Sequence, residues 1–183
     1  QRDEWAREAV RAFGEGHANA ALQAFAERRH IVEAAGPRAT IAAMVDAWQE
    51  ARHRNPDSSA LLLAKTNAQV AAISREVRAR RRQRGELRGA DLEIAAATPS
   101  GHATTLALAA GDEIRFLVRN DELGVVNGTV GVVSRVVRKP APGLPGGSAI
   151  RIEAKVEGRF ISFGLAELAD AKGRVRLGWA YAS

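Results

Sequence analysis

The sequence contains no cysteine. That excludes a disulfide scaffold, a thiolate metal site and a cysteine nucleophile. The four histidines, His17, His30, His53 and His102, are scattered and show no His-x-x-x-His spacing, so no metal site is expected. No apolar run approaches the ~20 residues that span a bilayer. The opening Gln1-Arg2-Asp3-Glu4-Trp5 reads as a helix surface and not as a secretory leader. The cytoplasm, without membrane contact, is the expected compartment. There is no Gly-x-x-x-x-Gly-Lys-Ser/Thr loop for nucleotide phosphates, no Gly-x-Gly-x-x-Gly after a strand and no Gly-x-Ser-x-Gly elbow. Gly14-Glu15-Gly16-His17 reads as a turn between helices, and Asp121-Glu122 as a loop pair. No self-contained active site is expected, and no catalytic residue is assigned.

What is present is an ordinary soluble composition, 46% hydrophobic and 26% charged over 183 residues, enough for one medium domain or two small ones. Met44 is the sole methionine, and the last residues, Leu177 to Ser183, read as an apolar strand without a polar tail. Termini are normally frayed and polar, so the expectation is a piece of a larger protein. Arginine outnumbers lysine, 23 to 4, and the charge is uneven. Lys65 to Arg88 carries eight positive and two negative residues, which equals the formal charge of the whole chain, +6. Such a stripe is the footprint of phosphate-backbone binding, or else a solvated helix face in an arginine-rich chain.

The first third reads helical. Trp5, Ala9 and Phe13 define one stripe; a second helix runs His17 to Arg29; a third opens at Gly36-Pro37 and ends near His53, before an Asn55-Pro56-Asp57 turn. His30 to Glu33 is a short strand candidate. Ala60 to Ala64 is a five-residue apolar run read as a strand buried on both faces of a parallel sheet. Lys65-Thr66-Asn67 follows, with Thr66 as N-cap and Gly85 as the stop of the next helix. Strand, polar turn and helix make half of a parallel α/β unit. After Gly85 short β-like runs take over. Asn127-Gly128 predicts a tight hairpin with positive φ at both central residues, and Glu157-Gly158 another; Pro140 to Gly147 reads as a surface loop. Five or so strands in about 60 residues suggest a small barrel.

The Lys65-Thr66-Asn67 turn is the best local site. A helix N-terminus, a lysine and two short polar side chains favour a phosphate, although a plain capped helix has the same look. Arg75, Arg78 and Arg82 share one face of that helix, while Arg80 and Arg81 point elsewhere.

Leu62 to Arg78 resembles the segment of RecD-like superfamily-1 DNA helicases that reads Ala-x-Thr-Asn-x-x-Val-x-x-(Ile/Leu)-Asn-x-x-(Ile/Leu)-Arg, with Ser74 where the family has Asn. Gly111-Asp112-Glu113-Ile114, Asn120-Asp121 and Val126-Asn127-Gly128 through Gly131 are similar to the pattern that marks an SH3-like barrel inserted in the second RecA-like domain of those helicases. Tyr181-Ala182-Ser183 resembles the start of the next motif, and the opening Gln1 to Ala9 is similar to the helicase region of TraA-like conjugative relaxases. The resemblance runs in order along nearly the whole chain.

The resemblance implies an α/β fold: an incomplete RecA-like parallel-sheet domain interrupted by a small SH3-like β-barrel. Residues 1–110 would be the first helicase segment, 111–171 the barrel and 172–183 the return strand, with Val175–Ala180 in the same sheet as Ala60–Ala64. The whole protein would be an ATP-dependent 5′→3′ DNA helicase within a conjugative relaxase, using ATP and Mg²⁺. This piece would supply part of the single-stranded DNA track and of the ATP cleft, inert alone, with no nucleotide bound. DNA contact falls on Lys65, Thr66 and Asn67, with Arg75 and Arg78 in support; Gln1 is the nucleotide-contacting residue. Asn120 and Asn127 shape turns. The partners are single-stranded DNA and the first RecA-like domain of the same chain. The alternative is a non-enzymatic SH3-like adaptor or nucleic-acid-binding module. Against the adaptor, the barrel stretch has only Phe116, Phe160 and Phe163, and no Trp or Tyr for a peptide groove.

Overall fold

The computed structural model describes residues 3–55, 60–141, 143 and 148–183. Gln1, part of the Asn55-Pro56-Asp57 turn and part of the Pro140–Gly147 loop lie outside the described residues. The chain divides into two units, 1–47 and 48–183.

In the first unit, α1 (Glu4–Gly14) and α2 (Ala18–Glu27) pair as a helical hairpin. Both follow the sequence periodicity, and the small residues Ala9 and Ala21 are the buried ones. Trp5 anchors the pair: its ring lies edge-on to Phe25 at 5.3 Å and stacked on His30 at 5.2 Å. The Arg28 guanidinium sits 4.6 Å from the same ring. His30–Glu33, expected as a strand, is not one; His30 is used in packing on Trp5 and the following residues are exposed. Helix α3 (Pro37–Arg54) starts at the expected proline and crosses the boundary between the units.

The second unit is built on α4 (Asn67–Gln83) and seven strands: β1 (Arg88–Ala97), β2 (Ala103–Ala110), β3 (Glu113–Phe116), β4 (Val130–Pro140), β5 (Ser148–Val156), β6 (Arg159–Gly164) and β7 (Leu177–Trp179). β1 and β2 form an antiparallel hairpin. The other strands form an antiparallel sheet in the order β6-β5-β4-β3-β7. Hairpin and sheet share one core: Leu92, Ile94, Leu106 and Leu108 from the hairpin pack with Ile114, Phe116, Ile152 and Phe163 from the sheet. A single turn of 3-10 helix, Leu165–Leu168, adds Leu168 to that core.

Two expectations are corrected here. Ala60–Ala64 is not a strand buried on both faces: Leu62 is buried, but Leu61 and Leu63 are each 64% exposed. Nor does β7 pair with it in a parallel sheet. β7 pairs antiparallel with β3, Ile114 opposite Trp179 and Phe116 opposite Leu177, because Leu177 completes the apolar row of that sheet. What joins the two segments is shorter: Ser183 N–H donates to Leu62 O at 2.9 Å and Ala64 N–H to Ser183 O at 2.8 Å. Those bonds flank Leu63 in the manner of a parallel pair. No parallel sheet and no closed barrel is found among the described residues.

The turns also differ from expectation. At Asn127-Gly128 only Gly128 is left-handed (φ 96°), with Thr129 N–H bonded to Val126 O at 3.0 Å. That fits a type II turn, not a turn with two left-handed residues. The doubly left-handed hairpin is at Glu157 (φ 48°) and Gly158 (φ 83°), between β5 and β6. Asn120 does shape a turn, accepting from Leu123 N–H at 3.0 Å and donating to Glu167 O at 3.1 Å.

Candidate nucleic-acid interface

Helix α4 begins with the residues that the motif singled out. Thr66 has extended backbone and caps the helix in a reciprocal box: Gln69 N–H donates to Thr66 Oγ1, and Thr66 N–H to Gln69 Oε1, both at 3.2 Å. The box satisfies one of the helix's first amides. Among the described residues, the N–H groups of Asn67 and Ala68 have no hydrogen-bond partner, and they point out of the N-terminus with the positive end of the helix dipole. Lys65, Thr66 and Asn67 are all exposed. A lysine, an amide side chain and two unsatisfied backbone donors are a fitting for a phosphate.

Further along α4 the basic stripe changes meaning. In three dimensions its arginines meet both of its own carboxylates, Glu76 and Glu86, and three that lie beyond it in sequence, Asp91, Asp112 and Glu113. Arg80 is bonded to Glu76 at 2.8 Å. Arg81 reaches Glu86 at 2.9 Å and Glu113 at 3.0 Å. Arg82 donates to the carbonyls of Leu87 and Gly89, at 2.8 and 2.9 Å, and to Asp91. Arg84 pairs with Glu86 at 2.8 Å. The C-terminal half of the stripe is therefore a docking surface for the chain's own β-structure. Among the described residues Lys65, Arg75 and Arg88 form no ion pair, and Arg75 is exposed.

Arg78 is a correction. It was expected to support DNA contact, but it is only 8% exposed and its guanidinium is committed to two aspartates. Nε and Nη2 donate to Asp112 at 2.9 and 3.0 Å; Nη1 and Nη2 donate to Asp91 at 3.2 and 2.7 Å. Asp112 is fully buried and also accepts from Ala109 N–H and from the Tyr181 hydroxyl, each at 2.7 Å. Burial works against the charge of Arg78, but the bonds to Asp91 and Asp112 prevail and raise its pKa. The Arg78 bonds, with those of Arg82, hold Asp91 below the usual carboxylate range. Burial, followed by the neighbouring Asp112 carboxylate, pushes the Tyr181 phenol up. Three segments named separately in sequence, the end of the Thr-Asn helix motif, Gly111-Asp112 and Tyr181-Ala182, thus meet at one buried polar node. Sequence reasoning had the residues but not the node; the signal available was that each motif includes an ionisable or phenolic residue. Gly111 keeps the node tight. Its φ is 100°, and a Cβ there would lie 2.6 Å from Glu86 O.

No group of His, Asp and Glu among the described residues could hold a metal ion, and no helix is long and apolar enough to cross a membrane. Gln1, expected at a nucleotide, lies outside the described residues.

No family model and no curated protein matches the sequence. Among solved structures, the chain is similar to Pif1 helicases at forked double-stranded DNA, with a TM-score of 0.43 and 18% identity over 75% of this chain and 32% of that one. It is also similar to Bacteroides Pif1 in complex with ADP-AlF4, with a TM-score of 0.39 and 16% identity over 66% of this chain and 26% of that one. A Bacteroides Pif1 double mutant gives 0.36 and 15%, over 76% and 34%. The chain spans about a third or less of the length of these helicases. All three TM-scores lie below 0.5.

Proposed function

We propose that the chain is part of an ATP-dependent 5′→3′ DNA helicase within a conjugative relaxase, and that it supplies one stretch of the single-stranded DNA track. The observation that carries the reading is the start of α4, where Lys65, capped Thr66 and Asn67 stand exposed beside two unpartnered backbone amides. That is the segment whose sequence resembles the helicase motif. Arg75, exposed and without an ion pair, lies two turns further along the same helix and extends the contact. Backbone amides and a lysine read phosphate and not base identity, as a translocating motor requires. Part of an ATP cleft belongs to the same reading, but the residues present do not fit a whole nucleotide site: the sequence has no phosphate loop, and among the described residues no carboxylate cluster suits Mg²⁺. Those parts would come from a first RecA-like domain.

The test is direct. The chain should bind single-stranded DNA weakly, with affinity falling steeply as salt rises, because bound cations release counterions from phosphates. Lys65→Ala should lower affinity about equally for all sequences and reduce the salt slope by roughly one unit. The chain should hydrolyse no ATP, with or without DNA. DNA-stimulated turnover, or a Lys65→Ala variant with unchanged salt slope, would overturn the reading.

A second reading, a non-enzymatic binding module, is favoured by Phe160. It is 73% exposed on the outer face of the sheet, directly across from Lys155. In that reading single-strand affinity depends on Phe160 and not on Lys65; alanine at each position separates the two.

A further inference from the structure

One face of α4 borders a cleft of about 190 Å³. Asn67, Ser74 and Arg75 line it from the helix, at the spacings that share a helix face. Leu106, Trp179 and Arg115 line it from the strands. Three features mark it as a site for a ligand and not a packing defect. Ser74 is 98% buried by its residual exposure of 2%, and its hydroxyl has no hydrogen-bond partner; a buried polar atom left unpaired in a folded protein is uncommon and calls for a partner. Trp179 is half-buried at the wall and held from two sides, its Nε1–H donating to Ala107 O at 3.0 Å and the Arg78 guanidinium lying 5.5 Å from its ring. Finally, Arg75 and Arg115 give the rim a positive charge, and no carboxylate is among the lining residues.

These features select the ligand. The cleft is smaller than the ~300 Å³ at which pockets for drug-sized molecules begin, so it suits a single planar ring system. An aromatic wall suits stacking on such a ring. The Ser74 hydroxyl can both donate and accept, so a change of its χ1 rotamer that turns it toward the cleft lets it meet the edge of any base. Cations at the rim suit a phosphate attached to the ring's sugar. We propose that this cleft receives one unpaired base of single-stranded DNA, with Ser74 on the base edge, Trp179 as its wall and Arg75 and Arg115 on the flanking phosphates. The proposal rests on the DNA-binding reading above and adds a base subsite to a backbone track. The strand would then be held at one nucleotide by its ring and elsewhere by its phosphates.

The experiment compares oligo(dT) with an abasic strand of the same length and charge, both titrated into the unaltered chain across a range of salt. The oligo(dT) should bind roughly 5- to 160-fold more tightly, the range for one stacked base, with a similar salt slope. Ala71 of α4 and Thr105 of β2 also line the cleft, and filling it by Ala71→Phe should remove that difference and leave abasic affinity unchanged. Thr105→Phe, from the opposite wall, serves if the first variant does not fold. Equal affinity for the two strands in the unaltered chain would overturn the base subsite and leave the backbone track standing. A filled cleft that keeps the preference for oligo(dT) would do the same. Absence of salt-dependent binding to either strand would overturn both.

Discussion

Arg78 and Arg75 are three residues apart on α4 and have opposite fates. Arg78 closes a node with a fully buried aspartate, so removing it strands a charge away from water. Arg78→Ala is expected to cost about 3–5 kcal/mol of stability, read from the urea midpoint. Arg75→Ala should cost less than about 0.5 kcal/mol and instead reduce the salt slope of DNA binding by roughly one unit. The node has its own reporter, because Tyr181 is the sole tyrosine and its phenolate absorbance reads one group. Burial and Asp112 disfavour the phenolate, so it should appear well above the usual ~10. In the unfolded chain the phenol ionises at its ordinary value. The raised folded value therefore contributes stability below about pH 10, which is lost as pH rises beyond it. Asp112→Asn should bring the phenolate titration down.

At the scale of elements, α4 owes its start to the Thr66 box and its end to Arg84 and Gly85. Thr66 therefore has two duties in this reading, as cap and as part of the phosphate site. Thr66→Ala should destabilise the chain by about 1 kcal/mol through loss of the cap. Thr66→Ser should restore most of that, since it keeps the accepting oxygen. Comparing DNA affinity in the two variants separates the roles. If serine restores both stability and affinity, the hydroxyl is sufficient. If affinity falls in both variants by the same amount while serine restores stability, the threonine methyl is the contact, and the phosphate reading at this residue is wrong. The β1–β2 hairpin is tied to the segment before β7 in a comparable way. Arg174 donates to Asp170 at 2.7 Å and to Gly101 O at 3.0 Å.

For the whole molecule, acid should act through carboxylates held by arginine. Bonds from Arg174, side chain and backbone, place Asp170 at about 2. Bonds from Arg78 and Arg82 hold Asp91 below the usual range. Both folded values lie under the unfolded ones. Their contribution is therefore complete above about pH 4 and is lost as pH falls from there toward 2. Thermal midpoints measured through that window should decline, and Asp170→Asn should flatten part of the decline. The same pairing reshapes the electrostatics of the molecule. A formal charge of +6 suggests a strongly basic helix, yet much of α4's C-terminal half faces Glu86, Asp91, Asp112 and Glu113. The unpaired cations that remain at its start and middle, Lys65 and Arg75, are where a polyanion meets least competition.

The helices were legible in the sequence because their causes are local. A stripe such as Trp5, Ala9 and Phe13, the proline at the start of α3, the Thr66 cap and the glycine after α4 each act within a turn or two. Most β-strands were legible for the same reason, by short apolar runs between turn residues, and so was the exposed Lys65-Thr66-Asn67 start. What pairs with what was not. β7 was expected beside Ala60–Ala64 as the return strand that the helicase resemblance implies, but Leu177 and Trp179 align with β3, a register fixed by side chains some sixty residues away in sequence. The arginine stripe was visible as charge, while its neutralisation depends on aspartates and glutamates brought from β1 and β3. Arg78, Asp112 and Tyr181 were each in view, yet a buried bond between them exists only once the chain has closed around it. Period and capping are written residue by residue; partners across the core are decided by packing, and only the tertiary structure carries that.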